Sequence, residues 1–585
     1  MNVIGISGFE LAVQFKRQHW PGLEEREYRI SQGHDAAAAL VCGGRVIAAA
    51  AEERFDRRKH SAHFPVGAIR WALQHKAISL GEIDEIVHSF DYEPYRDIYS
   101  VDPVTADLYN GVFSKQAFAE IVQRDLPGFP SERIHSVAHH LSHAASAFYT
   151  SGWDECLVVV LDAMGETHGV TVYEGRGTDL QRVRALSAQD SIGVFYSLLT
   201  LHLGFDFNSD EYKIMGLAPY GDPTRFRGFF EKEVVLREDG SIRVPMLRLN
   251  KTRDERENYL ASRSYLAQNL IPPRAPDGEI AAEHRDIAAA LQECLDRVVI
   301  HICSSFQRQT GHTRLAMAGG VALNCTANGR LLRSGRFEEI YVQSAAGDDG
   351  SALGAALYRA AQAGEVVNER SPVPMFGPSF SEAEIQSAIA EAGDRITTRR
   401  FGTLEETCTA AAQLIAEGAV LAWYRGRMEF GPRALGNRSI LADPAHPEMR
   451  DRINSMVKKR EAFRPFAPAV TIEEAHRWFE VEPGEEFPYM IMIVNVRKEW
   501  RSALPSITHV DASARVQTVS QRDNSDFHSL LKAVGRTTGR EMLLNTSFNV
   551  KGQPIVNTPS EAISTFLGTG INYLFLENYL VSAPR

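Results

Sequence analysis

The fold turns on Cys156-Leu157-Val158-Val159-Val160-Leu161-Asp162, an apolar run that closes on a carboxylate. It is followed by Gly165, by the run Gly169 to Tyr173 and by the turn Glu174-Gly175-Arg176-Gly177. Such a run reads as a buried strand, with a second and third strand folding back on either side of the turn. The same grammar stands at the start of the chain. Val3 to Ser7 reads as a buried strand, and Ala36 to Val41 and Arg45 to Ala51 as two more, joined at Cys42-Gly43-Gly44 by a tight hairpin. Two copies of strand, polar Gly-containing loop and hairpin predict duplicated halves facing a shared cleft.

A third signal is Arg314 to Ala318 running into Gly319-Gly320-Val321-Ala322-Leu323-Asn324, a strand entering a helix through paired glycines. Paired glycines there let backbone N–H groups approach a nucleotide. The arrangement resembles the actin-like ATPase fold, in which each half presents a loop to the nucleotide phosphates. Between Glu365 and Glu382 the chain turns to Asn, Ser, Pro and Gly, as a linker between two large domains would, and the division is placed at residues 1–370 and 371–585. Beyond it Ser381 to Ala392 and Leu404 to Glu417 read as amphipathic helices, and Val420 to Tyr424 as a strand. Asp91 to Glu132 and Asp222 to Glu279 have weaker periodicity and read as inserted substructures.

The totals narrow the function. A chain of 585 residues is too long for one core, and 44% hydrophobic with 23% charged residues is ordinary for a globular protein. A net charge of -11 argues against a general nucleic-acid or membrane surface. Cys42, Cys156, Cys294, Cys303, Cys325 and Cys408 are scattered with no CxxC pair, which fits a reducing cytoplasm and excludes a cysteine zinc site. No export signal and no run of eighteen apolar residues marks the chain for a membrane.

Two constellations carry chemistry. His139-His140-Leu141-Ser142-His143 precedes an Ala-rich helical run, so His139 and His143 at i and i+4 share a helical face. Asp162 at its strand end and Asp348 in Gly347-Asp348-Asp349-Gly350 sit in strand-end loops at the expected cleft and complete a two-His, two-Asp metal set. Mixed N and O ligands suit Fe(II), Mn(II) or Zn(II), with Fe(II) placed first and the choice left open. The second is Glu429-Phe430-Gly431-Pro432-Arg433-Ala434-Leu435-Gly436-Asn437-Arg438-Ser439, followed by Lys458-Lys459-Arg460-Glu461-Ala462-Phe463-Arg464. With Arg425 and Arg427 this gathers eight cations among Gly, Pro and Phe, a pattern suited to a small phosphorylated compound.

Eight motifs in order resemble the O-carbamoyltransferase family, which includes nodulation-factor and antibiotic carbamoyltransferases. They are Gly33-His34-Asp35-Ala36-Ala37-Ala38, Glu52-Glu53-Arg54-Phe55, His139-xxx-His143-Ala144, Glu211-Tyr212-Lys213-Ile214-Met215-Gly216-Leu217-Ala218, the Gly319 to Asn324 run, the Glu429 to Ser439 run, Phe463 to Pro468, and Asn545-Thr546-Ser547-Phe548-Asn549. The resemblance implies an α/β N-terminal domain of actin-like type, similar to the threonylcarbamoyl-adenosine synthase TsaD, fused to an α/β YrdC-like C-terminal domain. It implies that carbamoyl phosphate and ATP, the latter with Mg2+, are combined into carbamoyl adenylate with release of pyrophosphate. Arg433, Lys458, Arg464 and Ser547 are then expected at the phosphates, and Lys213, Gly319, Gly320 and Asn324 at the nucleotide. His34 is expected beside the acceptor as general base for its hydroxyl.

One segment departs from the family pattern. Phe9 to Gln32, with Phe9, Phe15, Trp20 and Tyr28, intervenes before His34 where nodulation-type members have a short loop. Placed there, it is expected either to shape an apolar acceptor pocket or to pack as a surface loop. The first option points to a polyketide-type secondary metabolite ahead of an aminoglycoside or a sugar oligomer. The expected partner is a small hydroxylated acceptor, with no nucleic acid and no membrane, and a homodimer is left open. A tRNA-modifying threonylcarbamoyl enzyme is the first rival, disfavoured by net acidity. A hydrogenase-maturation enzyme lacks its cysteine zinc motifs here, and a pure nucleotide switch leaves the basic cluster unexplained.

Overall fold

The computed structural model describes residues 1–365, 374–459, 461 and 463–584. The centre of the expected linker, 366–373, with the division at 370 and 371, and Arg460 of the basic cluster lie outside the described residues. The chain is a mixed α/β protein of two compact units that divide at Ser371 and Pro372, with the short stretch Arg57–Lys59 counted in the second.

In the first unit Asn2–Ser7 is the middle strand of a sheet ordered Arg45–Ala51, Ala37–Cys42, Asn2–Ser7, Glu85–His88, Ile134–Ser136. The hairpin side is antiparallel and the other two strands are parallel. A second sheet repeats this around Glu155–Leu161. His168–Arg176 and Asp179–Ser187 pair antiparallel on one side, and Arg314–Ala318 and Glu339–Val342 pair parallel on the other. The duplication expected from the two strand-and-hairpin runs is therefore present in the topology. Gly43 at φ +55° and Gly44 at φ +74° supply the left-handed pair that the first hairpin requires.

The second hairpin turns later than its sequence suggests. Gly175 and Arg176 remain in the ladder opposite Cys156 and Glu155, and the reversal falls at Gly177, φ +61°. Gly175 is there for space, since a Cβ would lie 2.6 Å from the Phe148 ring.

Two helices occupy the interior between the sheets. His139–Ser151 packs against the second sheet, Asp348–Gln362 against the first, and the two pack against each other. Both contacts need glycine. A Cβ on Gly5 of the central strand would sit 1.9 Å from the Ala352 carbonyl oxygen, and one on Gly354 would sit 1.7 Å from that of Ser142. The weakly periodic segments fold as short helices, among them Pro103–Leu108, Lys115–Asp125 and Leu260–Asn269.

The second unit is built on a mixed sheet ordered Thr397–Arg400, Tyr579–Ser582, Tyr573–Leu576, Leu421–Tyr424, Arg438–Ala442, Met542–Ser547, Ala467–Thr471, Gln517–Val519. Helices Leu404–Ala416 and Ser525–Thr538 pack together over Leu421, Trp423, Leu441 and Phe575 to make its core. Ser381 and Thr403 open their helices as N-caps within capping boxes, where the sequence placed the helix starts. Among the described residues no helix is long and apolar enough to cross a membrane.

Gly354→Ala tests the interior contact. It forces apart two helix backbones and is expected to cost about 3 kcal/mol in chemical denaturation, whereas Gly228→Ala, on an open helix face, stays within about 1 kcal/mol of neutral.

Candidate functional site

The helix pair brings the expected metal set together. His139 and His143 stand on the first turns of His139–Ser151, Asp348 opens Asp348–Gln362, and Asp162 follows the end of Glu155–Leu161. One ligand atom from each of the four lies within 4.8 Å of all the others. The Nε2 atoms of His139 and His143 are 3.0 Å apart, His139 Nε2 is 3.5 Å from Asp162 Oδ2 and 3.4 Å from Asp348 Oδ1, and His143 Nε2 is 3.6 Å from Asp348 Oδ1. Ligands held about 2.0–2.2 Å from one ion stand roughly 3.0–3.5 Å from each other, so the donor set fits a divalent metal.

The surroundings orient these ligands. The Ser89 carbonyl, 3.2 Å from His139 Nδ1, leaves Nε2 for the ion, and Phe90 stacks on the same ring at 3.8 Å between centroids. Burial opposes ionisation of Asp162 and Asp348, yet the neighbouring imidazoles hold both carboxyls below the usual carboxylate range. Burial likewise opposes a charged His139, and Asp348 with Asp162 overrides it, lifting that imidazole to about 10.

Glu166 was not legible as part of this site. Its buried carboxylate accepts from the backbone N–H of His139 and of Asp91, 2.8 Å each, and so anchors the start of the histidine helix. The available signal was an acidic residue four positions after Asp162 in the same loop.

The nucleotide expectations meet a different use of the same atoms. The N–H of Gly319 donates to the Ala346 carbonyl at 2.8 Å and that of Gly320 to Asp162 Oδ1 at 2.9 Å. Gly319, at φ +93° with a would-be Cβ 2.2 Å from the Leu161 carbonyl oxygen, is required by close approach to the strand that carries Asp162. The paired glycines thus brace Asp162, a member of the candidate metal set. Asn324 caps the helix Cys325–Arg333 and pairs with Gln292, and the Lys213 ammonium lies 2.8 Å from Asp210 Oδ2.

His34 is half-buried, with Nε2 3.2 Å from Ser31 Oγ. Burial pushes its pKa down, which favours the neutral imidazole. It lines a cavity of about 480 Å3 together with side chains from residues 9–32. The aromatic residues of that segment are spent on packing. Phe9 is buried against His88, Phe90 and Phe113, Phe15 stacks on His19, Trp20 donates its indole N–H to Asp254, and the Tyr28 hydroxyl donates to the Trp20 carbonyl. Of these rings Tyr28 also lines the cavity, while Phe9, Phe15 and Trp20 do not.

In the second unit the basic cluster separates into structural and remaining members. Glu429 Oε1 accepts from the backbone N–H groups of Leu435 and Asn437 at 2.7 and 2.8 Å and organises the loop that carries half-buried Arg433. Arg438 is wholly buried, gives its guanidinium to the carbonyls of Arg425, Gly426 and Asn437, and lies 3.6 Å from the Tyr424 ring centroid. Arg425 pairs with Asp526 at 2.6 Å, and Arg427 with the carbonyls of Phe376 and Gly377. These three serve the fold, correcting their place in the anion cluster. Lys458 and Ser547 do come together, with Nζ 3.2 Å from Ser547 Oγ and 2.8 Å from Asn549 Oδ1, while Arg464 lies 3.6 Å from Glu461.

The metal set yields a direct test. Purified protein is expected to hold near one equivalent of divalent metal through gel filtration, and His139→Ala and His143→Ala to lose most of it by elemental analysis. Full metal content in both variants would make the pair structural.

The geometry can now be set beside known proteins. The family model described as Carbamoyltransferase N-terminus matches residues 28–357, and Carbamoyltransferase C-terminus matches 412–583. Nodulation protein NolNO of Sinorhizobium fredii is 40% identical over 94% of this chain and 79% of its own length. The 3'-hydroxymethylcephem-O-carbamoyltransferase of Amycolatopsis lactamdurans is 29% identical over 92% of this chain and 96% of its own. Among solved structures, HypF of T. kodakarensis covers 63% of this chain and 49% of its own at 14% identity and a TM-score of 0.31, too loose a likeness to bear on ligands. With both family models matched in order along most of its length, the chain belongs to the carbamoyltransferase family and is a carbamoyltransferase.

Proposed function

We propose that the chain is an ATP-dependent O-carbamoyltransferase working in two steps on two domains. The second domain, expected at residues 371–585, is read as the YrdC-like domain in which carbamoyl phosphate and ATP give carbamoyl adenylate and pyrophosphate. With that donor the balance consumes one water and releases inorganic phosphate as well. The first domain, expected at residues 1–370, is read as the TsaD-like domain in which a hydroxyl of a small acceptor attacks the adenylate carbonyl. The observation that carries this reading is the convergence of buried His139, His143 and Asp162 with half-buried Asp348 in the duplicated unit of a carbamoyltransferase-family chain.

In the adenylation step Arg433 and Arg464 are read as holding the phosphate oxygens. Lys458, fixed by Ser547 and Asn549, is read as a preorganised charge beside them. In the transfer step His34 is neutral and takes the hydroxyl proton as the acceptor oxygen bonds to the carbamoyl carbon. The bond from that carbon to the adenylate oxygen breaks, and AMP leaves with the electron pair. A divalent ion held by His139, His143, Asp162 and Asp348, Fe(II) before Mn(II) or Zn(II), supplies Lewis-acid neutralisation of phosphate charge when bound. Lys213, paired with Asp210, is read as a contact to the nucleotide.

Placing the steps on separate domains makes them separable. Arg433→Ala and Arg464→Ala are expected to lower carbamoyl-phosphate-dependent pyrophosphate release at least about 100-fold. His34→Ala is expected to leave that release within about twofold and to lower carbamoylated product, read by mass over a panel of hydroxylated natural products, about 100-fold or more. Equal loss of both activities in all three variants would overturn the two-site reading.

A further inference from the structure

Charged side chains from residues 9–32, with Asp206, share the wall of the cavity beside His34 with the Tyr28 ring, Val13 and Pro276. Its volume, about 480 Å3, suits a small molecule. Two of its three guanidinium groups are neutralised within residues 9–32: Arg17 pairs with Glu25 and stacks over Tyr28, and Arg26 pairs with Glu24 at 2.9 Å. Arg29 is different. Among the described residues no carboxylate stands within ion-pair distance of its guanidinium, although it is only half exposed and lines the cavity with His34. The Arg26 Nη1 atom, also in this wall, is buried without a hydrogen-bond partner.

The backbone that carries Arg29 is held in place. The Asn208 side-chain amide donates to the carbonyls of Arg29 and Ser31, both at 3.4 Å, tying the Arg29 backbone to the loop that brings Asp206 into the cavity wall. On the other side, Lys16 is buried and donates to the carbonyls of Ile30 and Glu257, both at 2.5 Å. A half-buried guanidinium with no carboxylate within ion-pair distance, although Glu25 and Asp206 share its cavity, gains from an anionic ligand that bonds to it directly and restores the lost solvation. An apolar ligand would bury it further and leave it unpaired.

We propose that this cavity is the acceptor site and that the acceptor is a small, polar, hydroxylated molecule with a carboxylate-class anionic group, paired with Arg29 while its hydroxyl faces His34. The assignment rests on the reading of His34 as the base of carbamoyl transfer. It replaces the apolar macrocycle that the aromatic residues of the segment suggested.

Binding to the full chain, read by calorimetry without turnover, tests it. The probes are D-glucuronate and 4-(hydroxymethyl)benzoate, each against its methyl ester. Each acid is expected to bind at least about tenfold more tightly than its ester. Arg29→Gln is expected to bring the ratio to within about twofold, and Arg29→Lys to restore part of the preference. The unaltered chain is measured first, so the acid-to-ester ratio decides even if a variant fails to fold. Equal binding of acid and ester, no binding of either acid at millimolar concentration, or a preference that survives in folded Arg29→Gln overturns the assignment. An acid that binds through Arg29 yet gains no carbamoyl group by mass supports the site and overturns only the transfer role of His34.

Discussion

The backbone contact between the helices His139–Ser151 and Asp348–Gln362 is the constraint on which the first unit depends. Gly354 against the Ser142 carbonyl and Gly5 against Ala352 let two helices share a space that side chains would otherwise fill. That closeness sets their first turns side by side, so His139, His143 and Asp348 converge without any long loop to position them. Asp348 gains further from standing at a helix N-terminus, where a negative charge is favoured. The fourth group, Asp162, arrives on a strand end whose neighbour Gly320 donates to its other oxygen. Three buried polar groups and a half-buried fourth drawn this close offset their desolvation by attracting one another, and the same four atoms are spaced to share a cation.

The second unit answers the same difficulty in reverse. Here a buried carboxylate, Glu429, organises a loop rich in cations by accepting backbone N–H groups. Arg438 gives both terminal nitrogens to carbonyl oxygens and its plane to a tyrosine face, so a charge that reads as ligand-binding in sequence is a structural strut. Guanidinium groups suit both tasks, since five donors in a fixed fork satisfy several carbonyls as readily as a phosphate.

This is where sequence reading met its limit. The duplicated strands, the hairpin at Gly43 and Gly44, the histidine helix and the four metal-set residues were all legible, because period, turn chemistry and i, i+4 spacing are local signals. What Arg425, Arg427 and Arg438 do was not, because their partners Asp526, Phe376, Gly377 and Tyr424 are chosen by the tertiary fold. The glycine pair at 319 and 320 shows the same thing. Its strand-to-helix setting was right, yet its N–H groups turn to Ala346 and Asp162, and only the neighbouring strand explains why.

Residues 9–32 carry this lesson into function. Aromatic content suggested an apolar wall, but a ring is a contact surface of either kind, and here Phe9 fills a core while Trp20 and Phe15 lean on polar neighbours. The charges of the segment, which sequence reading treated as background, divide into a buried pair of anchors and a lining. Lys16 and Glu27 are the anchors, the latter bonded to Asn258 and Arg263, and burial lowers the Lys16 pKa to about 8. Burying such groups costs free energy that a surface loop would avoid by leaving them in water. A segment fixed at that cost beside His34 anchors the backbone of Arg29, so the place from which its guanidinium reaches into the cavity is set before any ligand arrives.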